Sequence, residues 1–263
     1  MCALAGYRTP KSKSFFLVLF FKKERSYFSM TVLQDRIAFV TGASRGIGAA
    51  TAIALAKLGA HVVITARTQG GLEETDDAVR AAGGTATLLP LDLTKPDNLD
   101  PIGPSLVQRF GRLDVLVHNA GALGRLTPAG HITPKDLETC LQVNFHATYR
   151  LIRTCGPVLA ASDAGRAVFV TSSVARTPRA YWGAYAATKA AMEMLVRCWA
   201  DEVENTKLRV NLFDPGATAT RMRATAFPGE DPRTLKGPAS RAEELVALCL
   251  PDVTRNGGLL RAA

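Results

Sequence analysis

The chain has 263 residues, 47% of them hydrophobic and 21% charged, with a formal net charge of +9. That length holds one α/β domain or two small ones, and the composition fits an ordinary folded core, not a fibrous, disordered or membrane-embedded chain. The positive balance is no nucleic-acid signature: Arg8, Lys11, Lys13, Lys22, Lys23 and Arg25 face only Glu24 within residues 1–30, and no basic stripe interleaved with aromatics follows.

Near the start, Phe15 to Phe21 forms an apolar run between lysines. Crossing a bilayer takes about twenty residues. A secretory signal would be followed by a small-residue cleavage site, where this chain has Lys22-Lys23-Glu24-Arg25. Met30 stands a few residues before the first predicted strand. The expectation is a non-globular extension over 1–29, with translation starting naturally at Met30, and a folded domain over 30–263. Cys2, Cys140, Cys155, Cys198 and Cys249 show no CxxC spacing, which predicts reduced, packed thiols and a cytoplasmic location. His61, His118, His131 and His146 lack metal-ligand spacing, so no metal is expected.

From Arg36 onward short apolar runs alternate with longer helical stretches. Residues 37–41 predict a strand and 46–58 an alanine-rich helix stopped by Gly59. A second strand is expected over 61–66, then a polar helix to about Ala81 and a break at Gly83-Gly84. Segments 85–91 and 113–119 predict strands joined through a helix beginning near Asp97. Thr133-Pro134 caps a long predicted helix that runs through Asn144 toward Leu159, bent near Gly156-Pro157. A fifth strand at 167–171, a helix at 185–204, a sixth strand at 208–213 and a short last strand complete the pattern. Alternating strands and helices require parallel pairing with right-handed crossovers, hence a single doubly wound α/β domain with helices on both faces of the sheet.

Two stretches carry chemistry. Thr41-Gly-Ala-Ser-Arg-Gly-Ile-Gly48 leads from a buried strand into a helix, and a helix N-terminus behind such a turn offers N–H groups to a pyrophosphate. Gly42, Ser44, Arg45, Gly46, Ile47 and Gly48 are the candidate contacts. About twenty residues on, NAD sites usually carry a carboxylate for the ribose 2′-hydroxyl. Here the sequence reads Thr65-Ala66-Arg67-Thr68, and Arg45 with Arg67 can clamp a 2′-phosphate. NADP(H) is therefore the preferred cofactor, with NAD(H) as the alternative. The second stretch is Tyr185-Ala-Ala-Thr-Lys189. Residues four apart share a helix face, so Lys189 is expected to stabilise the Tyr185 phenolate and bring its pKa, about 10 when free, toward neutrality.

From about Gln34 to Gly258 the chain resembles the short-chain dehydrogenases/reductases, whose motifs occur in the right order, with its closest likeness to a bacterial subgroup of unassigned substrate. The resemblance implies a Rossmann-type domain with about seven parallel strands. It assigns the adenine edge to Asp92 and Leu93, and sheet support beside the cofactor to Asn119, Ala120 and Gly121, where His118 replaces the usual first asparagine. Pro215, Gly216, Thr218 and Thr220 belong to the loop that meets the nicotinamide. Asn144, Ser173, Tyr185 and Lys189 match the catalytic tetrad: Tyr185 as general acid and base, Lys189 as its activator and ribose ligand, Ser173 at the carbonyl, Asn144 through a water. Ser173 is taken over Ser172, which is expected to be structural. Arg176 and Arg179 either recognise an anionic substrate or are solvated loop charges. Trp182 either lines the substrate mouth or supports the loop, and 221–236 is expected to form a lid. The implied activity is hydride transfer between NADP(H) and a carbonyl or secondary alcohol, in a homodimer or homotetramer that binds no nucleic acid or membrane. The alternative is a non-catalytic nucleotide sensor on the same fold.

Overall fold

All five residues of the first strand, β1 (Ile37–Thr41), are buried, as expected of a strand covered on both faces. The computed structural model describes residues 32–263, so the expected extension over 1–29 and the start at Met30 lie outside the described residues. After β1 come α1 (Gly46–Lys57), β2 (His61–Ala66), α2 (Gln69–Ala81), β3 (Thr85–Pro90), the short α3 (Pro96–Leu99), α4 (Ile102–Phe110) and β4 (Val115–His118). The second half contains α5 (Pro134–Cys140), a π-helical stretch (Leu141–His146), α6 (Ala147–Ala161), β5 (Arg166–Val170), α7 (Gly183–Glu202), β6 (Arg209–Asp214), α8 (Arg221–Ala226), α9 (Pro238–Val246) and β7 (Leu259–Arg261).

The strands form one seven-stranded sheet in the order β3-β2-β1-β4-β5-β6-β7, parallel throughout. Strand order reverses between β1 and β4, and in such sheets the crevice beyond the carboxyl ends at that point takes the ligand. Side chains alternate across the sheet. Phe39, Leu116 and Phe169 pack with Leu106, Leu151 and Met192 in one layer, while Val40, Val117 and Val168 pack with Leu55 and Leu245 in the other.

The opposite end of the sheet is fastened by charge. Asp114, fully buried, accepts hydrogen bonds from the Ile37 amide (2.9 Å), Arg112 Nε (2.8 Å) and Nη2 (2.6 Å), Arg36 Nη1 (3.2 Å) and Ser162 Oγ (2.6 Å). One carboxylate thus joins the starts of β1 and β4 to the turn before β5.

The long helix expected from Pro134 is interrupted. Thr133 caps α5, its Oγ1 accepting from the Asp136 amide at 3.1 Å, but residues 141–146 wind as a π-helix before α6 begins. Asn144 lies in this wider turn, and its side-chain amide is held by the backbone after β4. Such π turns often mark functional sites. Pro157 lies within α6 without ending it.

Candidate active site

At the switch point the chain leaves β1 through Gly42, whose φ of +65° disfavours a residue with a side chain. A Cβ at Gly42 would sit 2.8 Å from Ala120 Cα, and one at Gly48 only 2.3 Å from the Gly42 carbonyl oxygen. The turn is pressed against the segment after β4: Asn119 Nδ2 donates to the Thr41 and Gly42 carbonyls at 3.3 and 3.1 Å, and the Ala120 amide donates to Thr41 Oγ1 at 3.2 Å. His118, fully buried, faces Thr41 Oγ1 through Nδ1 at 2.8 Å. Burial, with the Lys189 charge adding to it, pushes this imidazole down to about 3 and keeps it neutral.

α1 then starts with Arg45 as its N-cap, with no side-chain oxygen closing the first turn. Its leading N–H groups and positive dipole end are available to an anion. Arg45 and Arg67 are both exposed at this rim. Across from them the Asp92 carboxylate accepts from the Thr94 amide (3.0 Å) and hydroxyl (2.9 Å), and the amide bond holds its pKa below the ordinary carboxylate value. Leu93 is buried beside it. A tight glycine turn, an uncapped helix start, and two rim arginines with no carboxylate at the end of β2 fit a dinucleotide carrying an extra phosphate.

The next group lies beyond β4 and β5. Tyr185 and Lys189 both sit on α7 and are buried, at 7% and 2% exposure. Asn144 Oδ1 accepts from the Ala122 amide at 2.8 Å, while Nδ2 donates to the Ala122 carbonyl and Thr188 Oγ1, both at 2.9 Å. A Cβ placed on Gly121 would lie 3.4 Å from Asn144 Oδ1 and 3.7 Å from Lys189 Nζ, so these three positions converge.

Two features differ from expectation here. The first concerns the serine. Ser172, extended at φ −154°, lies near enough to the Tyr185 phenol to oppose the rise in its pKa, whereas Ser173 opens a 3-10 turn and is exposed. The strand conformation ends at Ser172 and the backbone turns at Ser173. The second concerns acidity. Burial raises the Tyr185 phenol well above its ordinary value, with Asp214 and Cys140 adding to the rise and Ser172 alone opposing it. At the phenol burial outweighs the charge of Lys189. Its Nζ donates to the Val170 carbonyl at 2.8 Å, and burial pulls its own pKa down to about 8.

Facing the phenol, Trp182 packs edge-on to Tyr185 (5.9 Å between centroids) and against Phe227 (5.7 Å). Phe227 follows α8 and lies between the guanidinium groups of Arg223 (3.7 Å) and Arg179 (4.5 Å). Arg223 is forked onto Glu230 at 2.5 and 2.6 Å. The expected lid therefore folds over the site through one aromatic ring. In the loop after β6, Thr218 is buried with its hydroxyl turned to Pro215 and Gly216, while Thr220 caps α8 and brings its methyl within 3.6 Å of a Cβ placed on Gly46. Thr220 thus brings the end of this loop opposite the glycine turn. A separate surface groove of about 660 Å³, lined in part by Val107, Arg153 and Val158, touches none of these residues.

A family model described as short chain dehydrogenase matches residues 36–231. The chain belongs to the short-chain dehydrogenases. Among relatives, it is 39% identical to the uncharacterized oxidoreductase YciK of Escherichia coli K12, covering 87% of this chain and 91% of that one. It is 31% identical to the 2,3-dihydro-2,3-dihydroxybenzoate dehydrogenase of Bacillus subtilis, with 76% of each covered. A short chain dehydrogenase from Shigella flexneri, crystallised with NADP, superposes with a TM-score of 0.84 at 38% identity, over 88% of this chain and 98% of that one. One from Escherichia coli CFT073, crystallised with NADPH, gives 0.83 at 38% identity over the same shares.

Within this short-chain dehydrogenase the structure brings Gly42, Asn119, Ala120, Gly121, Asn144, Tyr185 and Lys189 together. Arg176 is neither a free anion receptor nor a solvated charge, because its guanidinium is paired with Glu193 and Asp214. Arg179 is engaged by the aromatic rings. Cys140, Cys155 and Cys249 are packed, but Cys198 is exposed on α7, contrary to expectation. Sequence reasoning assigned Ser172 a structural role and missed the Glu193–Arg176–Asp214 cluster, for which Glu193, four residues beyond Lys189, was the available signal. Among the described residues no helix is long and apolar enough to cross a membrane, and no metal-binding cluster occurs.

Proposed function

We propose that this short-chain dehydrogenase is an NADP(H)-dependent carbonyl reductase, acting on a ketone or aldehyde and reversibly on the corresponding alcohol. The observation that carries the proposal is the buried Tyr185 phenol, with Ser172 beside it and a buried lysine one helical turn away, at the mouth of the crevice beside the glycine turn. NADPH bound in that crevice supplies the hydride. Arg45 and Arg67 take its 2′-phosphate, and the first turn of α1 takes the pyrophosphate.

Tyr185 donates its proton to the carbonyl oxygen as negative charge develops there. Ser172 holds the same oxygen and stabilises that charge. Lys189 keeps an ammonium near the phenolate left behind. Asn144's amide is fully engaged by Ala122 and Thr188, so its part is to hold the segment after β4 against α7. The high phenol pKa suits reduction, because Tyr185 enters each cycle protonated. The free thiols Cys140, Cys155, Cys198 and Cys249 support a reducing, cytoplasmic setting. Exposed Tyr149 on α6 and Met194 on α7 support association of two copies through these helices. Following NADPH consumption over a panel of ketones and aldehydes tests the reading; tight NADPH binding without turnover on any of them would count against it.

A further inference from the structure

Three charged side chains below the phenol are not absorbed by this mechanism. Glu193 lies one turn beyond Lys189 on α7 and is 5% exposed. Its Oε1 accepts from Thr171 Oγ1 at 2.6 Å and from Arg176 Nη1. Those donors stand on either side of Ser172, so Glu193 grips the serine turn from both ends. The turn is closed by the Arg176 amide donating to the Ser173 carbonyl at 3.0 Å. The other arm of the guanidinium, Nη2, reaches Asp214 Oδ2 at 2.5 Å, and Asp214 Oδ1 accepts from the Gly216 amide at 3.2 Å. Asp214 is 4% exposed. One arginine thus bridges the lysine helix, the serine turn and the Pro215-Gly216 loop.

We infer that Arg176 is a positioning residue, which holds Ser172 and the Pro215-Gly216 loop in register with α7 and cancels the charge of two buried carboxylates beside Tyr185 and Lys189. The inference rests on the reductase reading above. Removing one partner of a buried ion pair leaves an uncompensated charge, and here two would remain. The groups facing the phenol are Asp214 at the end of β6, Cys140 of α5, Lys189 of α7 and Ser172. Lys189 in turn faces Glu193 of α7 and His118 of β4. Arg176 is the one cation touching both carboxylates among the described residues. Without it the surroundings become more negative and the phenolate is harder to form.

The test compares wild type, Arg176→Gln, Arg176→Lys and the double variant Arg176→Gln with Glu193→Gln. In the alcohol-oxidation direction, Arg176→Gln should move the rising limb of the kcat profile upward by about one pH unit. Arg176→Lys, which keeps the charge, should restore most of that shift. The double variant, with one carboxylate neutralised, should lie between the single variant and wild type. A uniform loss of rate with an unmoved profile, or a double variant no closer to wild type than the single one, would overturn the inference. Urea unfolding between pH 5 and 8 reads the charge pairing without turnover: the stability deficit of Arg176→Gln should narrow as pH falls and an unpaired carboxylate takes up a proton. A deficit independent of pH overturns the inference as well. If wild type turns over no substrate, the reductase reading fails instead, and the unfolding series decides the charge pairing alone.

Discussion

Lys189 Nζ lies 5.9 Å from the centroid of the Tyr185 ring, yet it donates its hydrogen bond away from the phenol, to the Val170 carbonyl at 2.8 Å. The two side chains share a helix face and a buried site without being bonded to one another. Their effect is one of charge in a region of low polarity, where burying an ammonium is costly in its own right.

That cost is measurable. Lys189 falls from 10.5 to about 8 on folding. A base whose folded pKa is depressed destabilises the fold fully below pH 8, and the penalty fades as pH rises from 8 to 10.5, where the unfolded lysine also loses its proton. Lys189→Met should therefore raise stability at pH 7 by roughly 1–2 kcal/mol, after allowing for the lost bond to Val170. The gain should shrink by pH 10 while activity is abolished. Unfolding at several pH values checks this, and a variant less stable than wild type at pH 7 would contradict it.

Ser172→Ala should lower kcat by about 10²–10³, the scale for losing one donor at a developing oxyanion. Ser173→Ala should stay within about twofold of wild type, because Ser173 is exposed at the start of the turn. Steady-state kinetics of both variants decide between them, and the reverse order would return the role to Ser173.

Arg45→Ala and Arg67→Ala should each weaken NADPH binding about tenfold or more, the scale of a charged hydrogen bond. NADH affinity should change little. Fluorescence titration with both nucleotides measures the contrast, and equal losses for the two would remove the 2′-phosphate assignment.

Asp114→Ala should destabilise the protein by roughly 1–3 kcal/mol, since it strands the buried Ile37 amide and Ser162 hydroxyl, while Arg36 and Arg112 keep their pairing with Asp163. Kinetic constants should be nearly unchanged, because the cluster lies at the end of the sheet opposite the site. Denaturant unfolding together with NADPH kinetics separates the two effects.

The fold was legible because its signals are local. The strands at Ile37 and His61 begin and end where the apolar runs do, and Gly42 and Gly48 stand where a side chain would collide with the chain. Spacing on one helix likewise placed Tyr185 near Lys189. Spacing could not show that Lys189 turns to Val170, or that burial outweighs its charge at the phenol, because both depend on strands distant in sequence. The choice between Ser172 and Ser173 was lost for a related reason: strand alternation separates the two, but which one faces α7 depends on where the strand ends. The π turn at Asn144 is set by Ala122, and the pairing of Arg176 by Glu193 and Asp214. No periodicity records such contacts.

The most direct test of the account is NADPH consumption with a carbonyl panel by wild type and Tyr185→Phe, alongside NADPH titration of both. The account predicts turnover by wild type, a loss of at least about a thousandfold in Tyr185→Phe, within the scale of general acid catalysis combined with the lost oxyanion contact, and equal NADPH affinity. A Tyr185→Phe enzyme that still reduces the same carbonyl at a comparable rate would contradict it.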